Sequence, residues 1–513
     1  MSSSILLINP ILSKTDFEPP LGLLYISGAC RAGGHKTKVV DLSFVRDLDY
    51  FKNYILPEIF DFDAVGIYSM SSMIDNVLEI ACMVKHKKAD IKIILGGPHP
   101  TLFPEEVLSS KCVDFVVMGE GERTIVELLD NMSNESYYPS IEGMGFRDEE
   151  GRIIINKRRE LIDNLDILHF PDRTELDTLE GYINLAGIKV LFGRRALNII
   201  ASRGCSFDCA FCQPALRKIH GPNARYRSVR NVIAEMEYIK KKWKIDAVWF
   251  EDDTITFKKD WIVEFCDSIM RNKIKIGWSC NSRIDTVDEG LLKIMKKANC
   301  RQIRYGVESG SQKVLDGDFK KGTKIDRVKD IFDMTRKIGI KTYSYVMIGG
   351  RFETLDSINE TRRFLKDISP NHIQLAITTP LPETRLKQEM ESDKDIKIKT
   401  NSYKDIRLFE KCNFDTGYLK AYEIESIYRG MFNEFHFFKL RELINKNIFS
   451  WIKRNLDFMI ILIKIKQDNK LLFTLSIFMR YLILALRLAI FRFLFMKKLD
   501  RILFKERLSF PPL

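Results

Sequence analysis

Short apolar runs rich in β-branched residues alternate with helical stretches twice along this chain, and that alternation leaves few folds open. In residues 1–135 the runs fall at 5–8, 38–40, 64–68, 92–95 and 114–117, with helical patterns at 22–32 and 75–88 between them. Strands apolar on both faces belong in a parallel sheet covered by helices on each side, so this region reads as a doubly wound, Rossmann-like α/β domain. Ligands of such sheets bind beyond the carboxyl ends of the strands. Those ends carry Asn9, Asp41, Ser69, Ser71, Ser72, Gly96, Gly97, His99, Gly119 and Glu120.

The period is lost over 136–190, where Pro139, Gly143, Gly145 and the charged turn Asp148-Glu149-Glu150-Gly151 predict a linker with one hairpin. From 191 to 400 the alternation resumes for six rounds. Strands are expected at 197–201, 247–250, 276–280, 302–305, 342–347 and 372–376, with helices at 229–243, 261–271, 290–298, 327–338 and 357–368. Six βα units make a partial (β/α)6 barrel of the TIM type, with its chemistry at the carboxyl ends of the strands. Residues 401–513 read as a helical region ending in a basic tail.

The first barrel strand runs into Cys205-Ser-Phe-Asp-Cys209-Ala-Phe-Cys212, the densest of the chain's ten cysteines; the other seven are scattered singly. Three thiolates so spaced can bind three irons of a cubane and leave the fourth iron to an outside ligand. The competing reading is a zinc site completed by His220.

This loop, with Phe211 before its last cysteine, resembles the radical S-adenosylmethionine (SAM) superfamily. The resemblance implies a [4Fe-4S] cluster on Cys205, Cys209 and Cys212, SAM chelated to the open iron, and reductive cleavage of SAM to a 5′-deoxyadenosyl radical. An electron donor of the flavodoxin or ferredoxin type goes with that chemistry. Rim residues suit SAM, which offers a sulfonium, an ammonium, a ribose diol and a carboxylate. They are Glu251 and Asp252 after the second strand, Asn281 and Arg283 after the third, Glu308 after the fourth, and Gly349 and Gly350 after the fifth. By resemblance Glu308 and Arg283 are polar SAM contacts and the Gly349-Gly350 backbone approaches the adenine. Asp252 as a helix cap and Arg283 as a structural ion pair are the plainer alternatives. Two departures stand out. Gly349-Gly350-Arg351-Phe352-Glu353 replaces a Pro-Gly pair common in the family, and Glu383 occupies a position where glycine is common.

Residues 19–25, Gly33-Gly34-His35, Gly96-Gly97-Pro98-His99 and 113–122 resemble the cobalamin-binding domain fused to one large radical SAM group. That resemblance implies cobalamin against Ser69, Ser71, Ser72, Gly96, Gly97, Gly119 and Glu120; a domain that keeps the fold and binds nothing is the alternative. The Asp-x-His-x-x-Gly signature of histidine-ligated cobalt is missing, since Asp41 is followed by Leu-Ser-Phe-Val-Arg46. No histidine ligand on cobalt is expected, and nitrogen hyperfine coupling in the EPR spectrum of cob(II)alamin-loaded protein would contradict that.

The chain's net charge of +12 is uneven: residues 441–513 hold fifteen basic and five acidic side chains, +10 of the total. A nearly neutral body gives no sign of a nucleic-acid partner. Residues 471–496 are apolar enough to span a bilayer but contain Arg480, Arg487 and Arg492. At about −0.5 kcal/mol per Leu, Ile or Phe and about +3 per Arg, insertion comes out close to zero. An interfacial helix on anionic lipid is the expectation, with a helix pair packed on the barrel as the alternative. With no signal peptide at the N-terminus and scattered cysteines, the expected location is cytoplasmic, peripheral at the inner face of the membrane.

Together these features predict a cobalamin-dependent radical SAM enzyme, with C-methylation of an unactivated carbon in a hydrophobic, lipid-like or other small-molecule substrate as the leading reaction. The alternatives are an oxidative cyclase of the magnesium-protoporphyrin monomethyl ester type and a zinc-stabilised, membrane-bound binding protein without catalysis.

Overall fold

The computed structural model describes residues 2–10, 18–43, 48–190, 192–193, 195–212, 214–400, 402–406, 409 and 411–435. The basic tail, and with it the expected interfacial helix, lies outside the described residues. No helix among the described residues is long and apolar enough to cross a membrane.

Seven strands form the first sheet: β1 (Ser4–Asn9), β2 (Lys36–Asp41), β3 (Ala64–Tyr68), β4 (Lys92–Gly96), β5 (Phe115–Val117), β6 (Met144–Arg147) and β7 (Ile153–Ile155). Their order is β2-β1-β3-β4-β5-β6-β7, with the first five parallel and β6 and β7 antiparallel. The expected strands are all present, and Leu6, Ile8, Val65, Ile67, Ile93 and Leu95 pack beneath Val77, Ile80 and Val84 of the helix Ile74–Lys87. Helices Leu21–Ala32 and Gly121–Asp130 also pack against one another.

The stretch expected to be a linker is more structured than its sequence suggests. Its hairpin hydrogen-bonds to β5 and extends the sheet. Residues Leu179–Lys189 form a helix despite two glycines, Gly181 and Gly187. Tertiary contact outweighs propensity there: Tyr182 is fully buried and donates its hydroxyl proton to Asp41 at the end of β2. A second correction concerns cysteines read as isolated, because Cys82 and Cys112 are joined in a disulfide with Cα atoms 5.0 Å apart.

The second sheet has β8 (Ala196–Ile199), β11 (Ala247–Phe250), β12 (Gly277–Ser282), β13 (Cys300–Glu308), β14 (Lys341–Ile348) and β15 (His372–Ile377), all parallel and each beside the next in sequence. A two-residue ladder of β9 (Ser202–Arg203) and β10 (Arg225–Tyr226) stands above β8. Helices Val229–Trp243, Lys259–Arg271, Glu289–Lys297, Ile325–Ile338 and Leu355–Ile368 cover the outer face. Their limits follow local rules: the Ser228 hydroxyl accepts from Asn231 N–H, and a Thr354–Ser357 capping box starts the last of them. Val190, Ala196, Ala247 and Trp249, with Phe192, form an apolar cluster at the amino ends of the first two strands.

Buried charges join the two sheets' surroundings. Arg173, fully buried before the helix Leu179–Lys189, donates to Glu235 (2.8 Å) and to the Asn198 carbonyl (2.7 Å), while Arg227 reaches the other Glu235 oxygen at 2.5 Å. Removing one member would strand the others without water, which is where buried ion networks become indispensable.

Candidate functional site

Gly204 opens the cysteine loop at φ +86°, and a Cβ there would lie 2.8 Å from the Asn223 carbonyl, so the turn off β9 requires glycine. Backbone bonds fix the loop from two sides. Ala210 N–H donates to Phe319 O (3.1 Å), and Ala210 O accepts from Leu386 N–H (2.9 Å). Cys205, Cys209 and Cys212 carry no disulfide; the first two are half-buried and the third is exposed. Arg283 stacks its guanidinium on Phe207 at 3.8 Å and brings Nη1 to 3.5 Å from the Cys209 sulfur, while Asp285 neutralises its far side at 2.6 Å. Burial pushes the Cys205 thiol up, and N–H and O–H donation from Phe207 and Thr254 works against it.

Three thiols on one loop, with a guanidinium beside one sulfur, are the donor set of a cluster lacking one protein ligand. Among the described residues no three His, Cys, Asp or Glu side chains gather around a single ion's position; a cubane gives each thiolate an iron of its own. His220, the expected fourth ligand of a zinc site, instead turns Nδ1 to Glu120 at 3.1 Å.

Around the barrel rim the expected SAM residues fall into two groups. Asn281, Arg283, Glu308, Gly349 and Gly350 sit at the carboxyl ends of β12, β13 and β14. Glu308 holds a left-handed backbone, φ +61°, and its buried carboxylate meets Lys321 at 2.5 Å. Lys321 was not foreseen, because it lies thirteen residues on, in a loop with no motif. Gly349 turns at φ +89°, and both glycine N–H groups donate to one oxygen of Glu353. Beside them Asp318 accepts from Phe352 N–H, and a Cβ on Gly350 would lie 2.4 Å from its Oδ2. Burial raises both acids, Glu353 to about 7 and Asp318 to about 6. Glu353 thus replaces with side-chain hydrogen bonds the rigidity that a proline would give this turn. Phe211 packs edge-on against Phe319, 5.3 Å between centroids, beside Val314, Leu315 and Met347.

Asp252, expected as a SAM contact, has structural partners. It is buried and accepts from Ala201 N–H (3.0 Å) and from the Ser202 hydroxyl, which ties the end of β11 to the start of the cysteine loop. Glu251 accepts from the Trp249 indole.

On the first sheet, Ser69, Gly96, Gly97 and Gly119 line the carboxyl edge. The Ser69 hydroxyl is buried without a partner. A Cβ on Gly96 would approach nothing closer than 3.8 Å and one on Gly119 nothing within 4 Å. An unsatisfied donor beside open backbone fits a polar, nucleotide-like tail. Ser72 is half-buried beside it, whereas Ser71 is engaged with His99 Nδ1 at 3.0 Å. His99 is fully buried, packed edge-on against Tyr403 at 5.0 Å, and lowered to about 4 by burial. His35 lies at the opposite end of the sheet, before β2, accepting from Ser3 N–H.

Glu120, expected against cobalamin, is the hub of a buried ion network. Its carboxylate meets Arg225 at 2.8 Å, His220 at 3.1 Å, Arg203 at 3.2 Å and Ile162 N–H at 2.9 Å. Burial pushes this carboxyl up, but the hydrogen bonds from His220, Arg225 and Ile162 N–H and the charge of Arg203 outweigh it and hold Glu120 well below the ordinary carboxylate range. Glu122 adds a second bond to Arg203. The first domain is thereby bolted to the ladder that launches the cysteine loop.

A cleft of about 310 Å³ lies between the two rims. Asn9, Ser43, Tyr68 and Met70, from the ends of the first three strands, line one side together with residues 18–23 at the start of the first helix; Asn198, Ile200 and Glu251, from β8 and β11, line the other. Such a junction of two strand-end surfaces is where α/β folds bind cofactors.

The B12 binding domain model matches residues 13–129 and the radical SAM superfamily model residues 199–365. An uncharacterized methyltransferase of Pyrococcus horikoshii is 31% identical over 72% of this chain and 77% of its own. The anaerobic magnesium-protoporphyrin IX monomethyl ester cyclase of Rubrivivax gelatinosus is 26% identical over 78% of this chain and 70% of its own. Among solved structures, the radical SAM methyltransferase TsrM of Kitasatospora setae, with cobalamin and a [4Fe-4S] cluster bound, shares the fold at 18% identity. Its TM-score is 0.64, over 78% of this chain and 81% of that one. A three-thiol loop at the mouth of an open six-stranded barrel, facing a doubly wound sheet, defines a radical SAM enzyme. The chain belongs to the cobalamin-binding group of that superfamily, whose cofactors are a [4Fe-4S] cluster, SAM and cobalamin.

Proposed function

We propose that the protein transfers a methyl group to an unactivated carbon of a small molecule, using both rims of the cleft at once. The observation that carries this reading is the cleft itself, whose walls come from the cobalamin-side strands and from the first two barrel strands. When bound, the reduced cluster supplies the electron that cleaves SAM, and cobalamin supplies the methyl group.

The chain's own residues have positional tasks. Cys205, Cys209 and Cys212 would hold the cluster, with Arg283 balancing thiolate charge beside Cys209. Asn281, Glu308 and the Gly349-Gly350 backbone would orient SAM, and Ser69, Ser72, Gly96, Gly97 and Gly119 would receive the tail of cobalamin. An electron donor of the flavodoxin or ferredoxin type, a cytoplasmic location and a membrane surface under the basic tail belong to the same proposal, the last supported only by the tail's sequence.

The likeness to a cyclase supports a second reading, ring oxidation without methyl transfer. The two separate when reduced holoenzyme is incubated with cell extract and SAM bearing a deuterated methyl group. Methylation puts deuterium into a product; SAM consumption with no deuterated product would favour the cyclase reading.

A further inference from the structure

The barrel lumen contains a cation with no acidic partner. Strand alternation directs Gln302, Arg304, Gly306 and Glu308 of β13 to one face. Register places Asn281 of β12 and Tyr343 of β14 directly beside Arg304. Asn281 stands two residues before Arg283, whose guanidinium reaches the cysteine loop, so the face that carries Arg304 is the one that looks into the barrel beneath the candidate cluster site.

Arg304 is 3% exposed, and its Nε and Nη2 meet no hydrogen-bond acceptor. No ion pair includes it among the described residues, and the two nearest rim acids are already engaged, Glu308 by Lys321 and Glu251 by the Trp249 indole. One step deeper, Gln302 is fully buried with both amide atoms unpartnered, and the neighbouring Ser279 hydroxyl is unpartnered too. A guanidinium cannot shed its proton to escape burial, so an unpaired one in a low-dielectric lumen is stable only with an anion or solvent in its fork. Tyr343 stands beside Arg304 with its ring 5.9 Å from the guanidinium carbon, and Tyr345, which shares a side-chain hydrogen bond with Arg304, sets its ring 5.1 Å from that of Tyr343 at a tilt of 49°.

We propose that Arg304 is the anion-recognition residue of the substrate pocket. The lumen takes a small molecule bearing a carboxylate or phosphate group, which Arg304 grips bidentately while Gln302 and Ser279 hydrogen-bond the atoms next to it and the tyrosines cover its apolar part. The word substrate rests on the methyl-transfer reading above; the anion site does not. A purely hydrocarbon substrate offers these polar groups no acceptor.

The test uses the full-length, anaerobically reconstituted holoenzyme and reads binding without turnover, so its failure and the failure of methyl transfer are separate results. Acetate and inorganic phosphate are titrated calorimetrically into wild type, Arg304→Gln and Arg304→Lys. Saturable binding of at least one anion is expected, weakened about tenfold or more in Arg304→Gln, with partial retention in Arg304→Lys. The tighter anion names the class of group recognised. Circular dichroism and iron content establish folding, and where Arg304→Gln fails that control, Arg304→Lys carries the comparison with an expected loss of several-fold from the missing fork. Absence of binding to wild type, or equal binding in every variant, would overturn the proposal. So would a tenfold loss of SAM affinity in Arg304→Gln by equilibrium dialysis, which would assign Arg304 to the SAM carboxylate.

Discussion

Two residues at the barrel rim show how one backbone angle or one buried oxygen carries a measurable consequence. Glu383 occupies φ +62°, the left-handed region, at the position where the family commonly has glycine. Its ion pair with Lys218 is long, 3.6 Å, and half-exposed, so it offsets little of the strain. Glu383→Gly is therefore expected to raise stability by about 1 kcal/mol in urea denaturation. Glu353 makes the opposite point. Its folded value, raised from the ordinary 4.5 to about 7, means the folded state binds the proton more tightly than the unfolded chain. That contribution is complete below pH 4.5 and is lost as pH rises through 7, by up to about 3 kcal/mol. Glu353→Gln cannot titrate, so its stability should show a flatter profile than wild type between pH 4.5 and 7; parallel profiles would refute the assignment. Neither residue advertises itself in the sequence. Glu383 reads only as a departure from a family pattern, and Glu353 matters because folding returns its side chain to a turn four residues back.

At the scale of elements, the eleven candidate strands were visible because each is a short apolar run between turn signals, and the cysteine loop because three thiols in eight residues have few other uses. What the pattern concealed is attachment. Glu120 follows a strand end, the usual place for a ligand contact, yet it serves to join β5's outlet to the β9–β10 ladder through Arg203, Arg225 and His220. Its partners lie roughly a hundred residues away, beyond the reach of any local period. The bonds of Asp252 to Ala201 and Ser202 were hidden for the same reason. Glu120→Ala leaves Arg203 and Arg225 buried and underpaired, which should cost about 3–5 kcal/mol. Because Arg203 directly precedes the cysteine loop, iron retained after reconstitution should fall as well. A stability loss with full iron content would show that the hub braces the domains without ordering the loop.

For the whole molecule, the sequence announces two α/β domains but not that their strand ends face one another across one cleft. Facing depends on Glu120 and on Arg173, Arg227 and Glu235, the last three of which look like ordinary surface charges until their burial is known. The same holds for the lumen: Arg304 sits in a stretch, Arg301-Gln302-Ile303-Arg304, that reads as half polar, and only strand alternation within a closed face makes it an internal cation. The resulting picture shifts emphasis from the lipophilic tail to the barrel floor, where the polar lining favours a substrate with an anionic end. Methyl transfer by this chain requires a cluster and a corrin in one molecule. Elemental and cofactor analysis of the full-length protein, reconstituted anaerobically with iron, sulfide and cobalamin and then desalted, tests it most directly. About four irons and about one cobalt per chain are expected, with the iron lost when Cys205, Cys209 and Cys212 are replaced by alanine and the cobalt retained; one zinc per chain with neither iron nor cobalt would contradict that.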